Sequence, residues 1–527
     1  MAKLVTRRKF LAQSGIFAGT ATLLPRLHLD ALAESESSIA FETTDPSLQK
    51  HYQSAIDLLA ANVQRMPGYQ SPVLIEGSVY RGIWLECAPQ EGLVYSPIRP
   101  DIARNNHLAF FELQREDGQL PCNVKINAIG HGQIQMVVPI AATAWELSQQ
   151  TGDHELLEAA YGSCSRWDAW LRRYRDTRGT GLCEGFCTYD TGQDNSPRWA
   201  GMPNSCPDGD ARKCSPVPSL PRLCPDLSAT VYGGRVALAA MARALGKNSE
   251  ADHWLDLAAQ IRSAIVARLY DPADAAFYDL DAQNQFVRIR SDVISRVLGE
   301  HVVDQQLFET IYQKEIHNPK AFWAPYPLPS VALDDPHFVR PIPRNSWGGA
   351  SQALTALRAT RWMEHYRKPA DLAFLMERWT EALLRAADFR QQLDPLTGEF
   401  TDDPPGYSPA ALVFMDFTWR LAGVRKVGEH LEWNVRPPAG QARSSFRLRV
   451  SPTLTAELAY QSGRAELSLN GRKFLSAGGV VRLVTTDDGE LRRATGIAAN
   501  PSSVALHRTG MPERKFAIAP NSSIELG

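Results

Sequence analysis

SATVYGGRVALAAMARALGKNSEADHWLDLAAQIRSAIVARLY, residues 228–270, carries two helical periods, Ser228–Leu245 and Glu250–Tyr270, parted by Gly246-Lys247-Asn248. Glycine and asparagine just past a periodic run end a helix, and so short a link folds the next helix back beside it. The same hairpin pattern recurs outward. Arg290–Leu298 pairs with Asp304–Ile316, and Ser351–Tyr366 with Pro369–Phe389 across Arg367-Lys368-Pro369. Gly132–Gln150 has Ile134, Val137, Val138, Ala141, Ala142 and Trp145 at helical spacing, and Glu155–Tyr174 follows it. With Ser47–Val63, Pro100–Gln114 and Ser408–Leu421, about eleven helices lie between residues 45 and 423. Periodicity establishes an all-α domain. A toroid of hairpins and a linear helical solenoid both fit it.

The links between helices are uneven. Those at one end are short, whereas 68–99, 180–227, 318–350 and 391–407 are long and rich in Trp, Tyr, Pro, Gly and Asp. Long loops gathered at one mouth of a regular scaffold are where function tends to sit. An (α/α)6 barrel has that form. After Gly423 the period changes to two, as in Phe446-Arg447-Leu448-Arg449-Val450, with Gly, Asn, Asp and Pro between runs. The expected organisation is a leader at 1–33, a helical catalytic domain at 34–425 and a small all-β sandwich at 430–527.

The leader is read from Thr6-Arg7-Arg8-Lys9-Phe10-Leu11, a twin-arginine pattern, then a weakly apolar stretch and the small-residue site Ala31-Leu32-Ala33. This predicts bacterial export through the twin-arginine translocase to the periplasm or beyond. No later run of 18 apolar residues predicts a membrane span. With 56 basic and 58 acidic residues, a net charge of −2 and no basic block, nucleic acid is not an expected partner. Five of the eight cysteines fall within 183–224. They fit disulfides in an oxidising compartment, free buried thiols, or a zinc site beginning at Cys183-x-x-x-Cys187. His107 and His131 make no ligand-spaced pair and are not read as metal ligands; no cofactor is expected.

Thr191-Gly192-Gln193-Asp194-Asn195-Ser196-Pro197-Arg198-Trp199 sets one carboxylate among amides, a hydroxyl, a guanidinium and an indole. Such groups hydrogen-bond sugar hydroxyls and stack on a pyranose ring, and the carboxyl is placed to protonate a glycosidic oxygen. Read alone, Asp-Asn-Ser-Pro is also an ordinary helix start. Three further passages accompany it: Gln133-x-Gln135 followed by Thr151-Gly152-Asp153; Ser346-Trp347-Gly348-Gly349; and Asp394-Pro395-Leu396-Thr397-Gly398-Glu399. In that order the four resemble glycoside hydrolase family 63 and its mannosylglycerate-hydrolase-like and trehalase-like relatives, over about residues 100–425.

The resemblance implies an (α/α)6 toroid of six hairpins and an inverting glycosidase. It implies Asp194 as general acid, with its pKa raised by burial against Trp199 or by Asp190. It implies sugar contacts from Gln133, Gln135, Asn195, Trp199, Trp347 and Gly348. Beside it, Arg198 and Arg344 are read as holding sugar hydroxyls, tuning a carboxylate or making surface ion pairs, Trp347 as stacking on a sugar or filling the core, and Trp323 with Tyr326 as walling the mouth. The family's base is a glutamate, and Gln391 occupies that position here. An amide cannot take a proton from water. Another carboxylate then serves, Glu399 first and Asp402 or Asp403 after it; or an anion such as phosphate attacks; or the protein binds glycans without cleaving them. Glu76-Gly77-Ser78-Val79-Tyr80-Arg81-Gly82-Ile83-Trp84-Leu85-Glu86 is either a buried β-hairpin or a loop that closes over the pocket and brings a carboxylate. The expected activity is hydrolysis of short α-linked glucosides or mannosides or of chain ends. A non-catalytic glycan-binding protein and a polysaccharide lyase are the alternatives.

Overall fold

The computed structural model describes residues 37–438, 442–508 and 510–526; the twin-arginine segment and its cleavage site lie outside them. Among the described residues twelve α-helices run in sequence. They are α1 Pro46–Ala61, α2 Ala88–Tyr95, α3 Pro100–Glu112, α4 Ile140–Thr151, α5 His154–Tyr174 and α6 Pro225–Ala244. The second half holds α7 Asn248–Leu269, α8 Val293–Gly299, α9 Gln305–Ile311, α10 Ala353–His365, α11 Pro369–Arg385 and α12 Ser408–Ala422.

The even-numbered helices touch in a closed circuit, α2–α4–α6–α8–α10–α12 and back to α2. Odd-numbered helices pack outside them: α3 on α2, α5 on α4, α7 on α6, α11 on α10 and α1 on α12. Composition follows position. Outer helix α7 is buried only at Ala251, Trp254, Ala258, Ile261, Ile265 and Leu269, one stripe at helical spacing. Inner helix α12 is buried at every residue from Ser408 to Trp419, because it has neighbours on all sides. This is the (α/α)6 toroid, not an open solenoid. Its tight links are chemically specified: Gly152 ends α4 at φ +69°, and the next residue, Asp153, caps α5 by accepting the Leu156 N–H at 2.9 Å.

Three elements differ from the sequence reading. Residues 132–139 are not helical; α4 begins only after Pro139, and Gln135 stands at φ +45°. The Ile134 and Met136 N–H groups are spent on Asp190, which pins this run as an extended strap. Helix α2 lies inside the segment read as loop 68–99; eight residues with Pro89 and Gly92 among them give too little periodic signal. Helix α11 stops at Arg385 rather than Phe389.

The β part is two antiparallel sheets. The seven-stranded sheet runs in the order 39–43, 444–451, 454–461, 464–469, 472–478, 502–507, 514–518. The five-stranded sheet is 424–427, 430–435, 481–485, 491–495, 523–525. Trp433 of the second meets Phe474 of the first edge-on at 5.6 Å, and both inner faces are apolar, as a sandwich requires. The first described strand, Ile39–Thr43, pairs with Ser444–Ser451, with Phe41 opposite Phe446. The chain thus enters through the β-sandwich before it winds the barrel. No helix of the described residues is long and apolar enough to cross a membrane.

Barrel and sandwich are joined by an ionic cluster. The Glu364 carboxylate of α10 accepts from Arg482 Nη1 and Nη2 at 2.7 and 2.8 Å and from Arg425 Nη2 at 3.2 Å. Burial opposes the charge, yet the Arg482 and Arg425 guanidiniums outweigh it and bring the carboxyl down to about 2. A depressed folded-state pKa stabilises above the unfolded value, ~4.3, and is lost as pH falls toward the folded one. Glu364→Gln is expected to cost about 2 kcal/mol near neutral pH, because two guanidiniums are left to share the Glu432 carboxylate. The gap between wild-type and variant denaturation midpoints should close as pH falls from ~4.3 toward 2; a gap independent of pH contradicts the linkage.

Candidate active site

The Thr191–Trp199 motif is a loop with an inward and an outward face. Inward, Arg198 spends all five of its N–H donors. Nε and Nη2 bind Asp279 at 2.8 and 2.6 Å, Nη1 and Nη2 bind Asp226 at 2.8 and 2.7 Å, and Nη1 also reaches Gln193 Oε1 at 2.8 Å. Gln193 in turn donates to Asp292. Trp199 is 2% exposed, and its Nε1–H goes to Thr191 Oγ1 at 2.9 Å. Arg198 and Trp199 therefore do not contact sugar as expected; they anchor the loop. Asp190 is likewise no neighbour of the acid, being buried against Arg175 and the N–H groups of Ile134 and Phe186. Gly192 at φ +62° and Asn195 at φ +56° bend the chain so that Asp194 faces outward while Gln193 stays buried.

On the outward face, Asp194 accepts from Asn345 Nδ2 at 3.1 Å, and its carbonyl accepts the Trp347 N–H at 3.0 Å. Asn195 Nδ2 donates to the Asn345 carbonyl at 2.7 Å. Burial raises the Asp194 pKa, and the Asn345 hydrogen bond opposes that rise. The far end of the Asn345 carboxamide accepts from Gln391 Nε2 at 3.1 Å. Gln391 Oε1 accepts from the Tyr80 hydroxyl at 3.2 Å. The acid position and the family's base position thus stand one carboxamide apart, with Asn345 between them. Asn345 (φ +46°) is fixed from behind by its N–H to Asp403 Oδ1 at 2.9 Å.

The early loop closes the other side. It turns tightly from Gly77 to Tyr80 and runs into a short strand, Gly82–Trp84, that pairs with Asn123–Lys125 rather than within a hairpin of its own. Glu76 accepts from Tyr407 at 2.9 Å. Glu86 lies against the motif: a Cβ at Gly192 would sit 1.3 Å from Glu86 Oε2. Gln135 hydrogen-bonds Glu86, and Gln133 donates to Gln135 at 3.1 Å, so both glutamines reach the site, from the strap before α4 rather than from a helix. Burial pushes Glu86 up to about 8, with Arg358 pulling it down and Asp194 adding to the rise. Glu76 is raised well above the usual range by burial, Glu91 and Glu86.

The remaining expected residues separate. Glu399 is exposed on the turn after Asp394, away from the hydrogen-bonded chain around Asp194, and Asp402 is exposed and paired with Arg390. Asp403 alone of the three joins the site, through Asn345. Arg344 is exposed beside Asn345, with no ion pair among the described residues. Trp347 is buried with Cys87 and Leu354, and the Arg296 guanidinium lies over its ring at 5.0 Å. Gly348 lets Val339 pack close and offers nothing to a ligand. Trp323 and Tyr326 do not wall the mouth; Trp323 stacks on Phe374 of α11 at 5.6 Å, and Tyr326 accepts from Arg385 of α11 at 2.6 Å. Asn345, Tyr80 and Tyr407 escaped the sequence reading. Asn345 adjoins the Ser346-Trp347-Gly348 passage, and its left-handed φ is a conformation asparagine tolerates well.

All eight cysteines are free thiols, seven of them buried. The pair nearest to a disulfide is Cys187 and Cys206, 3.7 Å apart at sulfur. Cys183 is not grouped with Cys187 as a zinc site would require; Cys187 instead meets Asp190 and Cys206.

Residues 94–419 match the mannosylglycerate hydrolase MGH1-like glycoside hydrolase domain. No curated protein matches the chain. Among solved structures, the family 63 mannosylglycerate hydrolase of Thermus thermophilus in complex with Tris is 17% identical, with a TM-score of 0.58, over 70% of this chain and 100% of that one. The family 78 rhamnosidase of a Bacillus species is 12% identical, with a TM-score of 0.56, over 82% of this chain and 41% of that one. Neutral trehalase of Saccharomyces cerevisiae is 12% identical, with a TM-score of 0.53, over 69% of this chain and 80% of that one. These likenesses share the barrel. The domain match extends from α2 into α12, almost the whole inner ring, and the chain belongs to the mannosylglycerate hydrolase MGH1-like family of glycoside hydrolases.

Proposed function

We propose that this protein is an exported, inverting glycoside hydrolase for short α-linked glycosides or chain ends, with Asp194 as general acid. The observation that carries the reading is the chain Asp194–Asn345–Gln391. Inversion needs acid and base on opposite faces of the sugar, roughly 6.5–9.5 Å apart, to admit a water. One intervening carboxamide suits that spacing. The partial burial of Asp194 favours its protonated form, which a general acid needs. Gln391 is suited to hold the attacking water, and Asp403, on the same side behind Asn345, is the carboxylate to receive its proton. Exposed Glu399 has no such place. Arg344, exposed beside Asn345, supplies a guanidinium for an anionic aglycone, which accords with the mannosylglycerate hydrolase relative. Export rests on the twin-arginine pattern alone. A glycan-binding protein without turnover is the second reading, and the amide at 391 favours it.

The experiment is an α-glucoside and α-mannoside panel, mannosylglycerate included, with the product anomer followed by NMR. Asp194→Asn should fold normally and lose about 10²–10⁴-fold in kcat; unchanged turnover removes Asp194 as acid. The basic limb of kcat/KM should lie above the ordinary aspartate range, with activity falling as pH rises through it. Gln391→Glu restores a carboxylate at the family's base position and should speed hydrolysis. Asp403→Asn should slow it, with azide, a nucleophile that needs no base, restoring aglycone release and leaving the sugar as the inverted glycosyl azide. No hydrolysis by wild type and none gained by Gln391→Glu, with sugar still bound, decides for the glycan-binding reading.

Arg198 separates anchor from ligand. Arg198→Lys leaves most of the fork to Asp226 and Asp279 unmade and should cost about 3–5 kcal/mol in unfolding free energy. A raised KM with an unchanged denaturation midpoint would instead return Arg198 to the sugar.

A further inference from the structure

Three groupings of buried side chains hold their candidate ligand atoms within 4.8 Å of one another: Cys187, Asp190 and Cys206; Cys224, Asp226 and Asp279; and Glu76, Glu86 and Cys87. The first two already contain a cation. Arg175 bonds Asp190 at 3.1 Å and approaches Cys206 sulfur at 3.6 Å, and Arg198 forks onto both Asp226 and Asp279. In the third, no guanidinium hydrogen-bonds a carboxylate oxygen among the described residues. Arg358 donates to the Glu86 backbone carbonyl at 3.4 Å, and its charge acts on the Glu86 and Glu91 carboxylates without a hydrogen bond to either. Arg296, also near, is committed to Asp292 at 2.8 Å and to the Thr191 carbonyl at 2.7 Å.

Glu91 gives an independent sign. It stands one helical turn beyond Cys87, on the same face of α2. It is 0% exposed, and neither of its carboxylate oxygens has an N–H or O–H partner; only the Cys87 thiol bears on it as a donor. Its carboxylate lies beside the Cys87 thiol, outside the 4.8 Å grouping, and its charge acts on both Glu76 and Cys87. A buried carboxylate left so poorly satisfied is costly unless a proton or a cation completes it.

We propose that Glu76, Glu86, Cys87 and Glu91 form a binding site for one divalent cation of the zinc class. Three carboxylates and one thiolate supply four donors, the number zinc takes in closed sites. The sulfur selects against calcium and magnesium, which take oxygen donors. On binding, the Cys87 S–H bond breaks, a metal–sulfur bond forms, and the proton passes to solvent, with no change of oxidation state. The ligands come from the early loop and the first turn of α2. The site would therefore clamp those two segments, with Glu86 braced on Gly192 beneath the Asp194 turn.

The test uses the full-length protein, purified without chelator. Metal analysis is expected to find about one zinc per chain. Removal by a chelator should lower the melting temperature by a few degrees, and zinc chloride alone should restore it, where calcium chloride does not. Cobalt substituted for zinc should show a thiolate-to-metal charge-transfer band that Cys87→Ser abolishes and Cys214→Ser keeps. Glu91→Gln, close in shape, should lower zinc occupancy at least tenfold. A chain without bound metal, whose melting zinc leaves unchanged, overturns the proposal and leaves protons on the carboxylates. So does zinc retained at full occupancy by Cys87→Ser and Glu91→Gln. The metal readouts do not depend on hydrolysis, so they stand or fall apart from the role of Asp194.

Discussion

The candidate acid is held in place by a guanidinium it never touches. Arg198 is buried and binds two aspartates and an amide, one from the start of α6, one from a short strand at Asp279–Leu280 and one from its own loop. Taking three charges out of water is expensive, and such a cluster rarely adds net stability over apolar packing. What it supplies is direction. Five N–H donors in a rigid fork accept one arrangement of oxygens, so three segments distant in sequence meet in one register. The loop's outward turn follows from this, since Asp194 and Asn195 are the residues left over once Gln193, Arg198 and Trp199 have been drawn inward.

Gly192 makes the turn possible twice over. Its φ of +62° is one that side chains with a Cβ adopt rarely, and its missing Cβ leaves the space that Glu86 Oε2 fills. The early loop and the acid loop therefore interlock at a single carbon-sized gap. Tyr407 ties Glu76 to the start of α12, and Tyr80 ties Gln391 to the same early loop. Four long loops become one site through contacts of this kind, made across 46 to 331 residues of chain.

That distance explains what the sequence made legible. Helices announce themselves locally: the α6–α7 hairpin shows in its period and its Gly-Lys-Asn link, and Asp153 shows as a cap. The failures are equally physical. Helix α2 is two turns long with proline and glycine in it, and residues 132–139 carry a helical period by chance while Asp190 claims their N–H groups. Asp194 was visible because its motif is contiguous. Asn345 was not, since its importance lies in bridging residues 151 and 46 positions away. Arg198 and Trp199 were misread because polarity and aromaticity suit a sugar and a buried anchor equally well. Only burial distinguishes the two.

The amide at position 391 acquires a reason in this setting. The Tyr80 hydroxyl, its hydrogen-bond donor, already sits in the field of Glu76, Asp194, Asp403 and Glu86. A glutamate at 391 would bring a fifth carboxylate into that field, and like charges at such range drive one another toward protonation. An amide keeps the same shape, accepts from Tyr80 and donates to Asn345 without adding charge. The cost is the proton acceptor that the family places here. On the proposed reading, the site exchanges a carboxylate base for an ordered hydrogen-bond chain, and the water's proton is assigned to Asp403 behind Asn345 rather than to the residue that holds the water.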